Sequence, residues 1–374
     1  MKRVIFIVTI AILGIAICEV GAQGVYVLTR GKFVWQREEF RVGDFTQRVN
    51  DERYFTAKPD YHNTSYTGIR DGFWDDAVPW DIEMDGHGFR IGANAVFENG
   101  PNVAFIGDSV PFGYRVSSHD TVPSIFQELI HQRGYPHGVI NAALPAYSLD
   151  QAVHRYKYEL AGRYDIEAMV LQIYDPASQF MQLGRDWDVT KNWVTFPHRP
   201  EPFPLFRYSS LWHAMHALRE AYDRRTARLD GSDEVAIRHY VTSINASLEV
   251  LREATKGKVK RVIILPTTLP PKTWALISEP HRVALTVLNN TLREFVQRHD
   301  GMEFIDTNEL FASDPDGRGF IDECCHLSHE GATQVAHLLA EHIPVPSSGP
   351  QEITRPVRSL YESARVELRQ TRYE

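Results

Sequence analysis

Gly107-Asp108-Ser109 follows directly on Val103-Ala104-Phe105-Ile106, a short apolar run with the character of a buried strand. A serine at the carboxyl end of such a strand, with a glycine before it to permit a tight turn, presents its hydroxyl and lends its backbone N–H to an oxyanion. Read without chemistry, the same residues cap the next helix. A serine hydroxyl needs a base, and an imidazole base needs an acceptor that fixes its tautomer and steadies the imidazolium. Phe320-Ile321-Asp322-Glu323-Cys324-Cys325-His326 offers both on one loop, with carboxylates three and four residues before His326. Among 16 histidines, His326 taken alone reads equally as a capping or surface residue.

These residues need a frame that brings them together across more than 200 positions. From Asn102 onward strand and helix signals alternate. Strands are expected at Val103–Ile106, Gly138–Asn141, Ala168–Ile173, Val259–Leu265 and Met302–Ile305, each apolar enough to be buried on both faces. Between them fall helices: one from about Val122 with Pro123 in its first turn, and one opened by a Ser148/Gln151 capping box. Further helices run from Val235 through Leu251, through Leu285, Leu288, Leu292 and Phe295, and from Gly331 to His342. The pattern predicts an α/β fold, a three-layer α/β/α sandwich around a central, mainly parallel five-stranded sheet. In such sheets ligands bind beyond the carboxyl ends of the strands, where Ser109 lies.

The organisation expected is an N-terminal signal segment over 1–30, an extension over 31–100 packed on the main domain, and the main domain over 101–345. An insertion at about 179–232 interrupts that domain, and a charged tail over 346–374 follows it. Lys2 and Arg3 precede an apolar run from Val4 to Cys18, with Glu19 interrupting it before Val20–Leu28. It reads as an uncleaved membrane anchor or as a secretory signal cleaved near Val20-Gly21-Ala22. Both place the rest of the chain outside the cytoplasm, in the periplasm or at the cell exterior. The composition, 43% hydrophobic and 24% charged, excludes a disordered or fibrous chain. The net charge of −8, without a long basic run, argues against nucleic acid as a partner. Three cysteines, Cys18, Cys324 and Cys325, make neither a disulfide framework nor a CxxC zinc pair. No metal or organic cofactor is expected.

Four ordered blocks together resemble the SGNH/GDSL hydrolases over roughly Asn102–Ile343. They are Gly107-Asp108-Ser109, the acid-x-x-His element ending at His326, the lead-in Asp85-Gly86-His87-Gly88-Phe89-Arg90, and Asn141-Ala142-Ala143-Leu144-Pro145-Ala146-Tyr147-Ser148. The resemblance implies the SGNH, flavodoxin-like arrangement and a carboxylic ester hydrolase working through an acyl-enzyme. Ser109 matches the nucleophile and His326 the base. The acid three residues before the histidine is Glu323, which the spacing favours over Asp322. The oxyanion hole would be formed by the N–H groups of Ser109 and Ala143, and by an Asn amide whose position here holds Asp175. An ionised carboxylate there would repel the developing charge, and losing such a donor costs on the order of 100- to 1,000-fold in rate.

The substrate expected is a small-molecule or glycan O-acyl ester, with O-acetyl groups on cell-envelope glycans favoured and the membrane met through the N-terminal segment. Transfer of the acyl group to a sugar hydroxyl is the alternative within the enzyme class. A non-catalytic glycan-binding or assembly protein is the alternative outside it, and protein partners are not legible. Trp187, Trp193 and Trp212 of the insertion either line a pocket or pack the insertion down. Asn63, Asn245 and Asn289 open glycosylation sequons.

Overall fold

The computed structural model describes residues 2–30, 45–49, 51–53, 55–66, 80–92, 100–173, 209–211, 215, 234–266, 268–277, 279–312, 314, 316–322 and 324–343. In chain order these form α1 (Lys2–Arg30), β1 (Thr46–Arg48), β2 (Phe55–Ala57), β3 (His62–Tyr66), β4 (Trp80–Glu83), β5 (Pro101–Gly107), α2 (Ser109–Phe112), α3 (Val122–Gln132), β6 (Gly138–Asn141) and α4 (Leu149–Arg155). They continue with β7 (Asp165–Gln172), α5 (Glu234–Thr255), β8 (Arg261–Leu265), α6 (Pro271–Leu276), α7 (Glu279–Gln297), β9 (Met302–Phe304), α8 (Asn308–Phe311) and α9 (His329–His342).

The five expected strands assemble into one sheet in the order β6-β5-β7-β8-β9, with every neighbouring pair parallel. Alternation along the strands explains the three layers. Val103 and Phe105, Ala168 and Val170, and Ile263 and Leu265 face one side, where α3 and α9 cover them with Phe126, Ile130, Val335 and Leu339. Ala104 and Ile106, Met169 and Leu171, and Val262 and Ile264 face the other, against Ile244, Leu248 and Leu251 of α5 and Leu288, Leu292 and Phe295 of α7. The expected capping box forms: the Ser148 hydroxyl accepts from the Gln151 N–H while the Gln151 amide oxygen accepts from the Ser148 N–H. The chain steps from β5 out to β6, then back across to β7. The strand order therefore reverses at β5, and the crevice beyond its carboxyl end is where such a sheet binds ligands.

Between 45 and 92, two antiparallel ribbons, β1-β2 and β3-β4, lie against this domain. Phe45, Trp80, Ile82, Met84 and Phe89 share a buried cluster with Ile106, Ile140 and Leu171, and the Phe45 ring stacks on Phe112 at 5.4 Å. Arg90 bridges to Asn141, stitching the segment to the edge strand β6.

The expected membrane span is not supported: no helix among the described residues is long and apolar enough to cross a membrane. Glu19 of α1 is held by residues much further along the chain. Its carboxylate accepts from the Ser209 hydroxyl (2.6 Å) and from the N–H groups of Ser210 (2.6 Å) and Leu211 (3.1 Å). The insertion tryptophans Trp187, Trp193 and Trp212 and the tail 346–374 lie outside the described residues. The sequons do not fall in open loops. Asn245 and Asn289 sit inside α5 and α7, and Asn63 lies on β3 with its amide donating to the Tyr61 hydroxyl at 3.2 Å.

Candidate active site

At the end of β5 the backbone turns through Gly107, whose φ of +145° is open to glycine alone. A Cβ there would stand 1.8 Å from the Gln172 carbonyl oxygen on β7. Asp108 caps α2 by accepting from the Val110 N–H at 2.9 Å, and Ser109 becomes the first residue of that helical turn. Both readings of the motif therefore hold at once: Asp108 caps, while Ser109 points to His326. As the first N–H of a helical turn, that of Ser109 has no intrahelical acceptor.

The turn after Ser109 is fixed by Arg90. Its buried guanidinium donates to the carbonyls of Phe112 (2.6 Å), Gly113 (2.5 Å), Val116 (2.7 Å) and Asp81 (3.0 Å), and lies over the Trp80 and Phe112 rings. Burial pulls its pKa down to about 9, against the pull of Asp81 and Asp120. The lead-in block thus acts as a clamp on the nucleophile loop. Gly113 closes the turn at φ +80°, where a Cβ would meet Thr121 Cγ2 at 2.4 Å.

His326 arrives from the loop between α8 and α9. Phe320 bridges to Leu327, and Ser328 caps α9 by accepting from the Gly331 N–H at 3.2 Å. Within this loop Asp322 organises the turn. Its Oδ1 accepts from the N–H groups of Cys324 (3.0 Å), Cys325 (3.2 Å) and His326 (3.3 Å), leaving Oδ2 for the imidazole. His326 Nδ1 lies 2.5 Å from Asp322 Oδ2, and His326 Nε2 lies 2.8 Å from Ser109 Oγ. The Tyr114 ring sits beside the imidazole, centroids 5.0 Å apart. Burial alone would raise the Asp322 carboxyl, but the hydrogen bonds and charge of His326 and the turn N–H groups outweigh it and hold it below its ordinary value. A carboxylate that stays ionised beside an imidazole fixes the proton on Nδ1 and leaves the Nε2 lone pair for the serine.

The structure brings Asp322, the other candidate acid, to the imidazole. Asp322 touches His326, and Glu323 lies outside the described residues. Three N–H groups of the turn converge on one Asp322 oxygen and leave the other to meet the ring from position i−4.

Ala143 follows β6 on a strip tied to β5, with the Ala142 N–H donating to the Phe105 carbonyl at 2.9 Å and Leu144 N–H to the Gly107 carbonyl at 3.1 Å. Its own N–H donates to Asn141 Oδ1 at 3.3 Å, a long bond that an oxyanion could displace. Asp175 lies outside the described residues. Sequence reasoning missed Arg155, which is fully buried and donates to the Ala143 carbonyl (3.2 Å), the Gly88 carbonyl (2.7 Å) and Glu159 Oε2 (2.9 Å). Glu159 in turn pairs with Arg53 and accepts from the Thr56 hydroxyl at 2.6 Å. Arginine is almost never fully buried unless paired, so nothing in its own position signalled this role.

No family model matches this chain, and no curated protein does. Among solved structures it is similar to a lipolytic protein of the G-D-S-L family from Veillonella parvula (15% identity, TM-score 0.41), over 65% of this chain and 97% of that one. It is also similar to an acetylxylan esterase from Geobacillus stearothermophilus (14% identity, TM-score 0.40), over 67% of this chain and 96% of that one. A third is an α/β hydrolase enzyme from the metagenome of Lake Arreo (14% identity, TM-score 0.39), over 66% of this chain and 97% of that one.

Proposed function

We propose that this chain is a serine ester hydrolase of the SGNH type that acts on O-acyl esters through an acyl-enzyme. The observation that carries the reading is the unbroken relay Ser109 Oγ–His326 Nε2–Asp322 at 2.8 and 2.5 Å, at the carboxyl end of a strand where the sheet order reverses. Nε2 takes the Ser109 proton as Oγ attacks the acyl carbonyl, and Asp322 stabilises the imidazolium that forms. The oxyanion meets the Ser109 N–H at the start of α2 and the Ala143 N–H once that exchanges its long bond to Asn141. His326 then returns the proton to the leaving alcohol, and the same base activates water to clear the acyl group. Acyl transfer to a sugar hydroxyl would use the same intermediate with another acceptor.

The substrate we favour is an O-acetylated glycan of the cell envelope, with the catalytic domain outside the cytoplasm. Lys2 and Arg3 ahead of the apolar run of α1 support export. A glycan-binding scaffold without turnover is the second reading. Asp175, at the position where the resemblance implies an Asn donor, favours it.

Hydrolysis of p-nitrophenyl acetate by the full chain beside Ser109→Ala tests the proposal. A rate that falls by about 10⁴-fold or more in a folded variant supports it, as loss of a triad nucleophile does elsewhere. Equal rates in the two proteins would favour the binding scaffold.

A further inference from the structure

The turn that seats His326 has a second chemical feature. Along an extended chain, adjacent side chains point to opposite sides. Here the three N–H groups drawn onto Asp322 Oδ1 coil the chain instead. As a result the Cys324 and Cys325 sulfurs and a ring nitrogen of His326 lie within 4.8 Å of one another, the one such group of potential metal donors among the described residues. Cys325 is 2% exposed and His326 7%, while Cys324 is half-buried and gives access from solvent. Donor atoms around one tetrahedral zinc stand roughly 3.5–3.8 Å apart, given bond lengths of about 2.3 Å to sulfur and 2.0 Å to nitrogen. The observed spread is thus within an ångström or so of a ligand set, and two sulfurs with an imidazole suit a soft or borderline cation over calcium or magnesium.

We propose that Cys324, Cys325 and His326 form an inhibitory zinc site that switches the hydrolase off. On binding, Zn²⁺ forms two bonds to thiolate sulfur and one to an imidazole nitrogen. The two thiol protons go to solvent, and water completes the coordination. Both ring nitrogens already have work, Nδ1 with Asp322 and Nε2 with Ser109. Whichever one the metal takes, the relay is broken. The switch rests on the esterase reading, whereas the metal site does not.

The test uses the full chain and Co²⁺ as a spectroscopic probe, beside calorimetry with Zn²⁺. The expected result is an intense near-ultraviolet thiolate-to-cobalt band and one tight zinc per chain. In Cys324→Ala/Cys325→Ala the band is lost and zinc binding weakens by at least about 100-fold, as removing two of the three ligands requires. Zinc is further expected to abolish p-nitrophenyl acetate hydrolysis by wild type, with EDTA restoring it. A cobalt spectrum without the thiolate band, or equal zinc affinity in the double variant, overturns the site. Tight binding through the cysteines with an unchanged hydrolytic rate overturns the switch. If wild type hydrolyses nothing even without metal, the esterase reading has failed, and the cobalt band still decides the site.

Discussion

Replacing Asp322 by asparagine changes one atom and should cost the enzyme most of its rate. Oδ1 of Asp322 accepts from three N–H groups, so an asparagine there must keep its amide oxygen in that seat. Its NH2 group then takes the position of Oδ2, now 2.5 Å from His326 Nδ1. Two donors cannot face each other, so Nδ1 becomes the acceptor and the imidazole proton moves to Nε2. Nε2 lies 2.8 Å from Ser109 Oγ and can no longer take the serine proton. The same swap in a serine protease triad lowers kcat by roughly 10⁴-fold, about 5.4 kcal/mol of transition-state stabilisation, and that size is expected here. The assay is steady-state kcat on p-nitrophenyl acetate, with Glu323→Gln as the comparison. Glu323→Gln leaves the Asp322–His326 contact in place and should stay within about twofold. If Asp322→Asn kept its rate and Glu323→Gln lost it, the tautomer argument and the assignment of the acid would both be wrong.

Other consequences concern stability and can be read from denaturation. Gly107→Ala drives a methyl into the Gln172 carbonyl at φ +145° and should destabilise by more than about 3 kcal/mol, measured by urea unfolding. Ala146→Gly should stabilise by about 0.5–1 kcal/mol, because Ala146 sits at φ +65° and the relief exceeds the added chain entropy. Arg155→Met leaves Glu159 buried beside a single arginine and frees the Ala143 carbonyl, so a loss of about 3–5 kcal/mol is expected in thermal melts. The Asp322 carboxyl is held below its ordinary 3.8, so its contribution is present in full above that value and is lost as pH falls through the lower folded one. Wild type should lose stability more steeply than Asp322→Asn in that acid window, read by urea unfolding at stepped pH.

Much of the frame was legible because it depends on local pattern. The five apolar runs became the five parallel strands; four are largely buried on both faces, as their continuous apolarity implies, whereas the edge strand β9 carries Glu303 and is only half-buried. The Ser148/Gln151 box worked as read because a cap needs only four consecutive residues. Ser109 and His326 were legible as chemistry, and their meeting across 217 positions follows from the sheet order. What escaped were choices made by turns and by burial. The spacing pointed to Glu323, while the Asx turn that gathers three N–H groups on Asp322 brings that carboxylate to the ring. Arg155 and the clamp role of Arg90 stayed hidden because a long charged side chain normally marks a surface. The apolar N-terminal run reads as a span, yet no helix among the described residues is long and apolar enough to cross a membrane.

The central claim is that His326 and Asp322 activate Ser109 as a nucleophile. Rapid quenching of the full chain with p-nitrophenyl acetate, followed by intact-mass analysis and peptide mapping, tests it most directly. One acetyl group per chain on Ser109, absent in His326→Ala, is the predicted result. An unmodified Ser109 during turnover, or an acyl group carried by another residue, would contradict it.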